Sequence, residues 1–113
     1  MLDPMEYDNI MYAYHYYAGD HAGYGSLIAA VENGVPVFVS EWGIGEMSGR
    51  DAALAAAKDF TGYMKANDIS WCAWSLCNKA EPFSLISPDC SLTSGWSRDD
   101  LSDAGKLIFS EFK

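Results

Sequence analysis

The sequence predicts an α/β domain built on a parallel sheet. Three observations predict it. Strand-like and helix-like segments alternate along the chain. One strand, within "PVFVSEWG", is apolar on both of its alternating faces, as in a parallel strand covered on both sides. A long stretch, Arg50 to Asp68, carries apolar residues at helical spacing. Repeated strand–helix units of this kind form parallel sheets with right-handed crossovers, whether wound as open sheets or closed as barrels.

The elements follow in order. "NIMYAYHYYAG" (Asn9 to Gly19) is rich in β-favouring aromatics and stops at a glycine, so it reads as the first strand. "GSLIAAVENG" (Gly25 to Gly34) reads as a short helix with Leu27, Ala30 and Val31 on one face. Gly34 is placed to end it, and Pro36 prevents its continuation. "VPVFVSEWG" is the second strand. The helix of Arg50 to Asp68 repeats Ala53, Ala56, Phe60 and Met64 on one face, and Ser48 or Asp51 is placed to cap its start. "ISWCAWSLC" (Ile69 to Cys77) reads as the third strand. A long loop with Pro82 and Pro88 follows. "LSDAGKLIFSEF" (Leu101 to Phe112) closes the chain as an amphipathic helix capped by Ser102.

Composition limits the function classes. At 113 residues the chain holds one domain, residues 1–113, with a real core. A net charge of −9 argues against nucleic acid and against an anionic membrane surface. No apolar run approaches the roughly 20 residues of a membrane span. The first residues, "MLDPMEYDN", lack the basic and apolar regions of a signal peptide. Three cysteines (Cys72, Cys77, Cys90) without a C-x-x-C pair indicate neither a disulfide framework nor zinc. With only two histidines, no metal site and no cofactor are expected.

In βα architectures the carboxyl ends of the strands carry the chemistry. Here those ends hold His15-Tyr16-Tyr17, then Ser40-Glu41-Trp42-Gly43, then Trp74-Ser75-Leu76 followed by Asn78, Lys79 and Glu81. Parallel strands bring all three sets to one rim. An imidazole, a phenol, a carboxylate, an indole and an ammonium then converge, which is how a sugar site is assembled. Residue by residue, bland readings stay open. Glu41 also fits the first polar residue of a loop, His15 and Tyr17 fit core packing, and Trp74 fits a barrel core. Lys79 and Glu81 fit a surface ion pair of little energetic worth. Trp42 and Trp71 read as packing residues, and Glu46 as solvated.

"NIMYAYHYYAG", "PVFVSEWG" and "WSLCNKAEP", followed by "SGWSRDDLSDAGKLI", resemble consecutive segments of glycoside hydrolase family 5 cellulases of the endo-β-1,4-glucanase type. The resemblance runs from about Tyr7 to Ile108. It implies a partial (βα)8 barrel whose three strands are the sixth, seventh and eighth, in a chain that is a C-terminal portion of the catalytic domain. It implies Glu41 as the nucleophile of a retaining mechanism, His15 and Tyr17 beside it, and Trp74, Lys79 and Glu81 as binding residues for a β-glucan. The family's acid/base sits in an Asn-Glu-Pro segment that this sequence does not contain. The alternative is therefore an incomplete, inactive half-barrel that at most binds β-glucan. Exposed strand edges imply a homo-oligomer or a complementary barrel fragment as partner. Extracellular location is the family's expectation.

Overall fold

The computed structural model describes residues 3–112. Three strands, β1 (Tyr12–Ala18), β2 (Val37–Ile44) and β3 (Trp71–Ala73), form one sheet in the order β1-β2-β3. Both neighbouring pairs are parallel. Helices α1 (Gly25–Glu32) and α2 (Arg50–Ala66) make the crossovers, and α3 (Asp103–Ser110) ends the chain. The α/β reading and the strand order of the sequence hold.

The helices cover one face of the sheet only. On that face Tyr16, Ala18, Val39, Trp42 and Ile44 meet Phe60 and Met64 of α2 and Leu27 of α1, all buried. Phe60 is the hub. Its ring lies 4.4 Å from Tyr16, 4.9 Å from Tyr24 and 5.4 Å from Trp42. The expected coverage of both faces is corrected. Ala13, His15 and Cys72 lie exposed on the opposite face, and Trp74 beside them is 49% exposed. In a parallel sheet such a face is apolar-to-mixed and ordinarily covered. With only three strands and both sheet edges unpaired, the chain spreads out. Its radius of gyration is 15.3 Å, against about 13 Å for a compact chain of this length.

Several element boundaries shift. β3 is shorter than Ile69 to Cys77, because the chain leaves the sheet at Trp74, whose peptide bond to Ser75 is cis. Neither Ser48 nor Asp51 caps α2. Gly49 occupies that position at φ 95°, a conformation that suits glycine and offers no side-chain oxygen. Ala57, rather than Ala56, is the fully buried alanine of the second turn. Ser102 caps α3 as expected, accepting from the Gly105 N–H at 3.0 Å. Gly34 ends α1 at φ 71°.

Candidate active site

The decisive local feature is a bulge in β2. Tyr12 pairs with Val37 and Ala13 with Phe38, but His15 then pairs with Glu41. On the other side Val39 pairs with Trp71 and Trp42 with Ala73. Against both neighbours β2 carries one extra residue. Strict alternation from buried Val39 would turn Glu41 toward the helices. The bulge instead leaves Ser40 and Glu41 together on the open face and returns Trp42 to the core.

Glu41 lies between two side chains of β1. The Tyr17 hydroxyl donates to its Oε1. His15 Nδ1 stands 3.6 Å from its Oε2, an ion-pair distance, and His15 Nε2 lies 3.0 Å from Ser40 Oγ. The Glu41 side chain is 31% exposed and that of His15 54%. Burial, the hydrogen bond to Glu41, and the charges of Glu41 and Glu81 together push the Tyr17 phenol well above its ordinary pKa. Tyr17 therefore stays a donor at every working pH.

Tyr17 is packed into place. Its ring meets Phe83 edge-on at 5.0 Å and His21 at 5.9 Å. Its backbone N–H donates to His21 Nδ1 at 3.1 Å. Beneath it Gly43 is buried, and a Cβ there would stand 2.9 Å from Tyr17 Cε1 and 2.8 Å from the Trp74 carbonyl oxygen. The absent side chain is what lets the phenol reach across β2.

The loop after β2 is tied down from two sides. The Asp20 carboxylate accepts from the Glu46 and Met47 N–H groups at 2.9 and 3.0 Å. Arg50 donates to the carbonyls of Ile44, Gly45 and Pro82 at 3.0–3.1 Å and to both carboxylate oxygens of Asp103. One guanidinium thus joins the end of β2, the last loop and α3.

The remaining residues of the rim and the last loop sit as follows. Trp74 follows β3 and its N–H donates to the Trp42 carbonyl at 2.6 Å. Lys79 and Glu81 are exposed in the last loop, and among the described residues they form no ion pair. Cys77 shares hydrogen bonds with Ser75 and Ser84 at 3.2 Å. Burial pushes its thiol up, but those bonds and the Lys79 N–H outweigh it and hold the pKa below the ordinary value. All three cysteines are free. His21 serves Tyr17, Trp96 donates to the Leu92 carbonyl, and Glu46 is exposed. Trp42 and Trp71 pack edge-on at 5.6 Å, as packing residues. Among the described residues no group of three or more His, Cys, Asp or Glu is arranged for a metal ion, and no helix is long and apolar enough to cross a membrane.

Sequence reasoning put Ser40 and Gly43 at the rim without giving either a role, and gave no site role to Asp20, Arg50 or Phe83. A signal for Ser40 was present: "SEWG" puts two polar residues in succession between apolar strand positions, which strict alternation cannot accommodate on one face.

Residues 1–80 match the family model described as cellulase (glycosyl hydrolase family 5). The chain is 36% identical over 112 residues to endoglucanase A of Butyrivibrio fibrisolvens, covering 96% of this chain and 26% of that protein. It is 34% identical over 109 residues to an endoglucanase of Clostridium saccharobutylicum, covering 94% and 24%. A thermostable, halotolerant family 5 cellulase from an Icelandic hot spring isolate superposes with a TM-score of 0.82 at 33% identity, over 97% of this chain and 38% of that one. The chain spans about a quarter of the length of the curated relatives it matches.

Proposed function

This chain belongs to the cellulases of glycosyl hydrolase family 5, and on that premise we propose that it carries the nucleophile side of a retaining endo-β-1,4-glucanase. Glu41 attacks the anomeric carbon of a β-glucan; the glycosidic C–O bond breaks, its oxygen leaves with the rest of the chain, and the glycosyl–enzyme ester that forms is then hydrolysed by water. The observation that supports this most is the bulge that brings Glu41 out of the core onto the face where Tyr17 and His15 meet it. The Tyr17 O–H bonds one oxygen of the carboxylate and the imidazole faces the other, which fixes the angle the carboxylate presents.

The sugar rests on the aromatic face of Trp74, whose half-exposed indole stands one strand away. Lys79 and Glu81 bond hydroxyls from the last loop. In this reading the three strands are the sixth to eighth of a (βα)8 barrel, and the open face is the barrel interior. The acid/base carboxyl, about 5–5.5 Å from the nucleophile in a retaining enzyme, comes from outside residues 1–113. Protonation of the leaving oxygen is then missing from the lone chain, and its turnover falls far below that of a complete site. An insoluble polymer substrate puts the complete enzyme outside the cell.

A 2-deoxy-2-fluoro-β-glucoside inactivator tests the nucleophile. Mass spectrometry of a peptic digest should find the sugar on Glu41, and Glu41→Gln should take up none. Label on another residue, or equal label in the variant, rejects the assignment.

The open face and unpaired edges favour a second reading: a half-barrel that grips β-glucan without cutting it and associates with a second copy or with a complementary fragment. It predicts retardation in β-glucan affinity gels with no reducing ends released, and Trp74→Ala should abolish the retardation. Light scattering behind size exclusion gives the mass; a monomer at all concentrations rejects self-association.

A further inference from the structure

The two histidines of the chain stand on either side of Tyr17 in the sequence, and each turns a ring nitrogen toward a group of fixed hydrogen-bonding character. His21 Nδ1 lies 3.1 Å from the Tyr17 backbone N–H, which can only donate. The His21 Nδ1 therefore carries a lone pair, and its proton sits on Nε2. His15 faces the opposite demand. Its Nδ1 lies 3.6 Å from Glu41 Oε2, and an ionised carboxylate only accepts. Its Nε2 lies 3.0 Å from Ser40 Oγ, a group able to donate or accept. The bulge in β2 is what supplies both neighbours, because it puts consecutive residues on one face of one ring.

We infer that Ser40 is a positioning residue: its hydroxyl donates to His15 Nε2 and holds the neutral imidazole in the Nδ1–H form, with that proton turned toward Glu41. The His15 side chain is more than half exposed, so packing alone does not stop the ring from turning about its χ2 axis. Without an anchor on the far nitrogen, a half-turn presents carbon to the carboxylate. With it, the phenol of Tyr17 bonds Glu41 Oε1 and the imidazole N–H faces Oε2 from 3.6 Å. The hydroxyl also stays bonded if His15 gains a proton, by turning from donor to acceptor. The consequence for catalysis rests on Glu41 being the nucleophile; the tautomer itself does not.

The experiment is a long-range ¹H–¹⁵N correlation spectrum of the ¹⁵N-labelled 113-residue chain, at a pH where both rings are neutral. His21→Gln assigns the two spin systems. The expected spectrum shows opposite tautomers: His15 protonated on Nδ1 and His21 on Nε2. Ser40→Ala should average the two His15 nitrogen shifts while the His21 pattern stays as it was, and Ser40→Thr should restore the separation. A wild-type His15 protonated on Nε2, or a His15 pattern unchanged in Ser40→Ala, overturns the inference. Failure of the inactivator to label Glu41, with the opposite tautomers intact, would remove the nucleophile and leave Ser40 in its role.

Discussion

Gly43→Ala and Gly62→Ala make the same chemical change and should move stability in opposite directions. At Gly43 the new methyl would stand 2.8 Å from the Trp74 carbonyl oxygen and 2.9 Å from Tyr17 Cε1. Reaching ordinary contact near 3.4 Å requires shifts of about 0.6 and 0.5 Å in parts that cannot yield cheaply. The first is backbone, held by the Trp74 N–H on the Trp42 carbonyl, and the second is a ring wedged against Phe83 and bonded to Glu41. Overpacking of this kind costs about 2 kcal/mol. The lower entropy of the unfolded alanine chain returns about 0.7 kcal/mol, leaving roughly 1.3 kcal/mol of destabilisation. Gly62 is exposed inside α2, and a Cβ there meets nothing within 4 Å. Alanine at that position stabilises by about 0.7 kcal/mol. The two variants then differ by about 2 kcal/mol, which at an m value of roughly 1.5 kcal/mol/M separates their urea midpoints by about 1.3 M. Tryptophan fluorescence follows the transition, since Trp42 is fully buried. Equal midpoints for Gly43→Ala and the parent chain would refute the claim that the close approach of Tyr17 needs a glycine.

Two further outcomes follow from the charges. Arg50→Ala should cost about 2 kcal/mol in the same urea assay, mostly through the carbonyls of Ile44, Gly45 and Pro82 left without their donor; Asp103, half exposed, contributes the smaller share. The hydrogen bond from Arg50 holds the Asp103 carboxyl below the usual carboxylate range, against an opposing effect of burial. Its stabilisation is full above the unfolded value of about 3.9 and is lost as pH falls through the folded one, so Arg50→Ala should flatten the loss of stability below about pH 4. At the other end of the scale burial, with bonds to Glu41 and Asp59 respectively, raises the Tyr17 and Tyr24 phenols. Their stabilisation is intact below the unfolded value of about 10 and declines as pH rises past it. Urea midpoints measured from pH 9 to 11 should therefore fall, and Tyr17→Phe should fall less steeply than the parent.

Much of this was legible in the residues. Glycines, prolines and hydrophobic period are local signals, so the order of strands and helices, the end of α1, the Ser102 cap of α3 and the packing role of Trp42 could be read directly. The shortness of β3 could not, because it depends on where the chain must leave the sheet to reach Phe83 and Leu85. The N-terminus of α2 was misread for a related reason. Gly49 holds the cap position, and Ser48 before it is tied by its N–H to the Gly19 carbonyl, a contact made with a residue far away in sequence.

The sequence by itself determined the parallel α/β order and the company of His15 and Tyr17 with Glu41; Glu41 was expected at the end of its strand, but it stands inside β2, which continues to Ile44. Only the tertiary structure decided which way Glu41 faces. Side-chain direction in a strand is set by pairing register, and register is a relation between strands. The extra residue in β2 is visible only against both β1 and β3. The same bulge brought Ser40 beside His15, and so turned a serine that reads as filler in "PVFVSEWG" into a neighbour of the imidazole.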